Sequence, residues 1–177
     1  MATQKLQPTR ALQVLPSDFA NIPTPNVLIN ESLNTDVKSY ALIDSNVNFF
    51  EYVPSEAENS TNNVQYNVNV GDVVYSIFTN TAATIVEVIS QHELLLNNDI
   101  FGGSDFAYRI YQEGPQTGLG NQGAVLYIGG GSGSLTVTTS GNDIVTFVGV
   151  SAGTFFPVNV VKVHASGTDC TNIIALW

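Results

Sequence analysis

Charge is scarce in this sequence. Only 11% of its 177 residues are charged, and 5 basic side chains face 15 acidic ones. The net charge of −10 argues against a nucleic-acid partner, because phosphate recognition draws on clustered Lys and Arg. It also disfavours docking on an anionic membrane surface. No apolar run reaches the roughly 18–20 residues of a membrane-spanning helix. The stretch MATQKLQPTRALQVLPSD lacks the continuous apolar core of a signal peptide. Cys170 is the one cysteine and has no second thiol to bridge. It reads as a half-buried thiol in a protein made in a reducing cytoplasm.

Catalytic side chains are equally sparse. There are two histidines, His92 and His164, with no H-x-x-x-H or C-x-x-C spacing, so no zinc site is expected. Both read as solvated or strand-end residues. Ser17-Asp18 follows Pro16 and reads as a helix or turn cap, since nothing in the sequence puts a histidine beside it. The run GGGSG (129–133) lacks the lysine of a phosphate loop and opens onto SLTVTT, a strand pattern. It reads as a hairpin turn. Glu51, Glu56 and Glu58 form the densest acidic stretch; a solvated loop is the default reading, with calcium as the alternative. Asp99 and Asp105 flank a turn-like IFGGS without EF-hand spacing. Tyr66, Tyr75, Tyr108 and Tyr111 fall on strand patterns and read as core or interface, not as sugar platforms. No catalytic residue, cofactor or metal ligand is therefore assigned, and the chain is expected not to be an enzyme.

Helical periodicity is nearly absent; SEAENSTNN (55–63) reads as an acidic surface loop. What is present is 44% hydrophobic residues, enough for a core, mixed with amide, hydroxyl and glycine. That mixture suits twisted strands and tight turns. QYNVNV (65–70) alternates, followed by DVVYSIF, ATIVEVIS, HELLLN and FAYRIYQ. FAYRIYQ sets Phe106, Tyr108 and Ile110 on one face. EGPQTGLGNQG (113–123) reads as a linker or long loop. Five further strands follow: AVLYIGG, SLTVTTS, DIVTFVGV, FFPVNVVKVHA and TNIIALW, separated by turn residues. The spacing indicates an antiparallel sandwich or barrel. In TNIIALW, Ile173, Ala175 and Trp177 face one side and Ile174 and Leu176 the other. A strand apolar on both faces is either central or covered by another subunit. RALQVLPSDFANIPTPN (10–26) begins as a strand, breaks at Pro16 and continues extended. It is too poor in apolar residues to fold alone, so it must lean on later chain or on a neighbour.

RALQVLPSD, LYIGGGSGSLTV, DIVTFVGVSAGTFFPVNVVKVHASGT and TNIIALW, in that order, resemble the spike-base-like head surface proteins of tailed phages and gene transfer agents. The likeness covers residues 10–25 and 124–177. Members of that family join the first segment directly to the LY-GG strand; here residues 27–121 intervene. The resemblance therefore implies an all-β protein with a discontinuous, antiparallel β-sandwich or jelly-roll-like domain (10–26 plus 122–177). An N-terminal arm (1–9), an inserted small β-barrel-like domain (27–112) and a linker (113–121) complete the expected organisation. Insertion at a loop is cheap because closure cost grows slowly with length.

The family role so implied is a homo-oligomeric virion building block, pentamer or trimer, assembled in the host cytoplasm. It would sit at a capsid vertex as a spike base, or on the head as a decoration protein, holding to the major capsid protein and supporting a fibre. The alternatives are a tail, collar, baseplate or fibre-attachment protein and, in another class, a carbohydrate-binding module. The expected interface residues are Lys5 and Arg10, on an arm laid across an acidic neighbour, and Ile173, Ile174, Leu176 and Trp177 on the terminal strand. Burying a large side chain such as Trp177 contributes roughly 2–3 kcal/mol. A chain ending after Cys170 should accordingly lose the thermal transition of its C-terminal sheet in calorimetry; an unchanged transition would disprove the strand assignment.

Overall fold

The structure, a computed structural model, describes residues 8–50, 67–117 and 123–177. Lys5, most of the arm, the stretch with Glu51, Glu56 and Glu58, Tyr66 and residues 118–121 of the proposed linker lie outside them. The described residues are all-β, without helices, and form two antiparallel six-stranded sheets. In chain order the strands are β1 (Ala11–Gln13), β2 (Val27–Leu33), β3 (Ala41–Ile43), β4 (Val73–Ser76), β5 (Thr81–Ser90) and β6 (Glu93–Leu96). They continue with β7 (Ala107–Tyr111), β8 (Ala124–Gly130), β9 (Gly133–Thr139), β10 (Ile144–Val150), β11 (Thr154–Val163) and β12 (Thr171–Leu176). Contacts divide the chain into two compact units: unit 1 is Met1–Pro25 with Gly114–Trp177, and unit 2 is Asn26–Glu113.

Unit 1 has the strand order β1-β12-β8-β11-β9-β10. Alternation decides its core. Ala124, Leu126 and Ile128 of β8 and Ile173 and Ala175 of β12 point inward and are fully buried. They meet Leu135 and Val137 of β9, and Val160 and Val163 of β11. Strand β11 changes partner along its length. Thr154–Phe156 pair with β8, Val160 meets both neighbours, and Lys162 and Val163 pair with β9. The register shifts between Phe156 and Val160. Pro157 lies there and has no N–H for a ladder, which confines it to such an irregularity.

The extended N-terminal segment leans on this sheet. Val14 N donates to Ile173 O at 2.8 Å, Ser17 N to Val163 O at 2.9 Å and Ile22 N to Val161 O at 2.7 Å. Pro16 falls between the first two of these donors, and Pro23 and Pro25 follow the last, where a missing N–H costs no bond. Gly114 returns the chain beside this segment. A Cβ there would stand 1.8 Å from Ile22 O, so only glycine fits.

GGGSG proves to be a bend and not a hairpin turn. It joins β8 to β9, but those strands do not pair, because β11 lies between them. The bend is tight. Gly131 has φ +62°, and a Cβ on it would lie 3.0 Å from both Asp169 O and Thr171 N. Left-handed backbone under such crowding favours glycine.

Unit 2 has the order β2-β7-β4-β5-β6-β3. Here too one strand turns the corner: Thr81–Thr84 of β5 pair with β4, and Ile85–Ser90 with β6. The chain just past β2 then meets β3 through an Asp36–Ile43 bridge, and Thr35 N donates to Ile43 O at 2.7 Å. The ladder thus closes on itself in barrel-like fashion. Tyr108 and Ile110 point into its core beside Ile29, Leu42, Phe49, Ile85, Leu94 and Phe101, with Phe106 packed on the rim. Tyr75 and Tyr111 are buried together, ring centroids 4.9 Å apart. The ends of the unit meet: Gln112 N donates to Asn26 O at 2.9 Å, and Asn26 Nδ2 to Gln112 Oε1 at 2.6 Å.

The described part of QYNVNV, residues 67–70, is not a strand. Asp72 Oδ2 accepts from Asn69 N at 2.8 Å and Asp72 N donates to Asn69 O at 3.2 Å, which closes a turn. Local side-chain-to-backbone bonding outcompetes the period-2 pattern. Val68 is still buried, while Val70 is exposed.

Two buried polar groups pin unit 2. Asn34 donates to Asp36 O and Gly103 O and accepts from Phe106 N. The fully buried Asp44 carboxylate accepts from Ser32 Oγ at 2.5 Å, Tyr108 Oη at 2.7 Å and Asn46 N at 2.9 Å. Such a carboxylate is tolerable only while its acceptors are satisfied. Removing one hydroxyl with Tyr108→Phe should cost about 1.5–3 kcal/mol, read as an earlier urea midpoint. A midpoint within error of wild type would mean the phenol contributes nothing.

Candidate assembly surface

Strand β12 sits inside its sheet, between β1 and β8. Its inward residues Ile173 and Ala175 are core. Ile173, expected at an interface, is thus unavailable for one. Its outward residues Ile174 and Leu176 are half-buried. Register sets Ile174 between Tyr127 and Gln13, and Leu176 between Val125 and Ala11. Tyr127 in turn pairs with Phe155, ring centroids 5.1 Å apart. Phe155 is 57% exposed. The outer face of β1-β12-β8-β11 therefore carries an apolar cross-strand row of Phe155, Tyr127 and Ile174. Sequence reasoning reached Ile174 and Leu176 but missed Tyr127 and Phe155. The signal was there: AVLYIGG is apolar at both odd and even positions, as TNIIALW is.

Trp177 is half-buried and packs against the unit 1 core. Its carbonyl accepts from Thr9 N at 2.6 Å and Arg10 N at 3.3 Å, and its N–H donates to Arg10 O at 3.0 Å. The indole Nε1 is buried with no acceptor among the described residues. Arg10 is exposed, and its guanidinium donates to Pro25 O at 2.7 Å. Lys5 lies outside the described residues.

Charge separates cleanly between the units. Unit 1 carries Lys5, Arg10 and Lys162 against Asp18, Asp143 and Asp169, a balance of zero. Unit 2 holds only Lys38 and Arg109 as basic residues against the other 12 carboxylates, and so the whole net charge of −10. Unit 1 can therefore meet a copy of itself without a net like-charge penalty. Unit 2 is the source of the chain's net negative field.

One polar cluster in unit 1 has the residue types of a catalytic array. His164 Nδ1 lies 3.4 Å from Asp18 Oδ1, and Nε2 is 2.8 Å from Thr138 Oγ1. Asp18 also accepts from Ser166 Oγ at 2.7 Å and Ser166 N at 3.2 Å. Lys162 Nζ donates to Asp18 O at 3.4 Å. No sequence spacing announced this meeting; it arises because the N-terminal segment crosses the end of β11. Thr138 is buried on β9 and commits its hydroxyl to the imidazole. The arrangement works as a clasp holding residues 17–22 to the sheet. Ser17 is the turn cap, its Oγ accepting from Phe19 N at 3.1 Å and Ala20 N at 3.2 Å.

The remaining candidates have structural roles. His92 Nδ1 is 2.8 Å from Val47 O. Cys170 is fully buried and not half-buried; burial, then Asp169, push its thiol up against one opposing Gly133 N–H bond. A raised thiol is a poor nucleophile. Among the described residues no group of three His, Cys, Asp or Glu side chains could hold a metal ion.

Compared with protein-family models, curated proteins and solved structures, the chain matches none of them.

The clasp has a pH signature. Asp18 is held below its ordinary value, chiefly by the Ser166 hydroxyl and against its own burial, with the Ser166 N–H and His164 adding to the fall. A carboxylate depressed by folding contributes stability above its unfolded pKa, about 4, and loses it as pH drops through the folded value. Asp18→Asn should therefore destabilise unit 1 at pH 7, with the difference from wild type shrinking below about pH 4. A gap that is constant with pH, measured by urea titration at several pH values, would disprove the ionic part of the clasp.

Proposed function

We propose that this protein is a non-enzymatic structural component of a tailed-phage virion, a vertex spike base or decoration protein on the head. The observation that carries the reading is the pairing of a largely apolar sheet face with a unit of zero net charge, in a chain whose net charge lies entirely in the other unit. Such a surface suits repeated packing against like copies or a capsid lattice, where every charged side chain would be multiplied by symmetry. The order of motifs in residues 10–25 and 124–177 supplies the virion context. Buried aromatics support the same reading over a sugar-binding module: Tyr75, Tyr108 and Tyr111 are spent on the unit 2 core. Attachment to the major capsid protein would run through unit 1, and unit 2 is the inserted element that adapts the block to its own partner, such as a fibre.

Cryo-electron microscopy of intact purified particles tests this. Density for the chain is expected at capsid vertices or capsomer junctions, with local rotational symmetry giving the copy number. Density confined to tail, collar or baseplate would move the protein to those structures. Particles that lack the chain altogether would end the virion reading.

A further inference from the structure

Sheet edges are sites of unwanted pairing, and proteins blunt them with short strands, prolines, charges or closure. Three of the four edges among the described residues are managed in this way. In unit 2, β3 meets the chain just past β2 through the Asp36–Ile43 bridge, and β2 carries the charged Glu31. In unit 1, the edge strand β1 has three residues, with Pro8 and Pro16 on either side. The fourth edge, β10, has seven residues and among the described residues pairs only with β9. It has no proline and no charge; from Asp143 the next charged side chain is Lys162. Ile144 is 69% exposed and Val148 83%. Ile144–Phe147 run in regular register against Thr138–Leu135, and the register shift that follows takes in Val148 and Gly149, the latter at φ +76°. A bare, apolar edge of this kind is a template for another strand.

We propose that β10 is covered by β10 of a second copy of this chain, in an antiparallel register centred on Thr146. Two features point to a second copy. The first is pattern. Ile144-Val145-Thr146-Phe147-Val148 is apolar on both sides of Thr146, so a two-fold axis there sets Ile144 opposite Val148 and Thr146 opposite itself. Opposed β-branched residues are favourable cross-strand pairs, and an isologous contact requires such self-complementarity. The second is charge. A basic partner would be drawn to unit 2, which carries the net charge, and would gain nothing at β10. A neutral unit meeting its own copy brings no net like charge to the contact itself. The proposal rests on the building-block reading for its purpose, though the contact itself does not depend on the protein's place in a particle.

The contact is small, a few residues a side, well below the roughly 1,600 Å² of a standard stable interface. It should therefore appear as concentration-dependent dimerisation of the full-length protein. Repulsion between two net charges of −10 opposes it and is screened by salt. Sedimentation velocity should show the dimer fraction rising with concentration, and rising again as NaCl is raised. Val148→Lys places a gatekeeper charge on the edge and should weaken dimerisation about tenfold, about 1.4 kcal/mol. Its thermal unfolding should be unchanged, because Val148 packs little. Thr146→Cys should cross-link to itself on mild oxidation, without interference from the buried Cys170.

A wild-type protein that stays monomeric at its highest soluble concentration, in low and high salt, would overturn the proposal. So would dimerisation that survives Val148→Lys but is lost in Ile174→Lys, which would place the contact on the outer face instead. A β10 dimer formed by a protein missing from particles would leave this inference standing and remove the virion reading, so the two fail separately.

Discussion

The pairing of β12 with β1 on one side and β8 on the other is the constraint on which unit 1 depends. Both sides of that strand must be satisfied for the unit to exist. Its inward face, Ile173 and Ala175, fills the core; its backbone edges hold β1 and, through Val14, the segment that follows. Beyond Pro16 that segment bonds to β11 instead, through Ser17 N and Ile22 N. The clasp of Asp18, His164, Thr138 and Ser166 fastens the same segment further along. It therefore acts downstream of β12 and cannot replace it.

A second constraint is shared by the two units. Each turns one long strand through two sets of partners, β11 in unit 1 and β5 in unit 2. A six-stranded sheet left flat would expose both of its faces; bending a strand across the corner lets one face enclose a core. The bend in β11 is marked by Pro157, and unit 2 closes through Asp36 and Ile43. Interior side chains are alternate residues in either case, which is why a simple alternating pattern specifies so much of the structure.

That pattern made the strands of unit 1 readable from sequence: AVLYIGG, SLTVTTS, DIVTFVGV, FFPVNVVKVHA and TNIIALW each contain one observed strand. Pairing order was not readable. GGGSG looked like a hairpin because short glycine runs commonly join partners, yet β11, which follows β10 in the chain, inserts between β8 and β9. Nothing local encodes that. QYNVNV misled for the opposite reason, since Asp72 sits just beyond the pattern and captures Asn69 N. The outer face was half visible: Ile174 and Leu176 came from alternation within one strand, whereas Tyr127 and Phe155 join them only through register. The meeting of Asp18 with His164 is a contact across 146 positions of sequence, beyond the reach of spacing arguments.

Unit 1 is also divided in time. Its N-terminal segment leaves the ribosome first and β12 after every other strand described here, with the whole of unit 2 made in between. Unit 2 can close as soon as Gln112 reaches Asn26, since its ends bond to each other. The N-terminal segment, with Val14, Ala20 and Ile22, has no strand to settle on until β11 and β12 emerge. A polypeptide released before β12 would combine a finished unit 2 with an unfinished unit 1. The surfaces of unit 1 thus exist only once β12 has been made, so its oldest segment waits for its youngest strand.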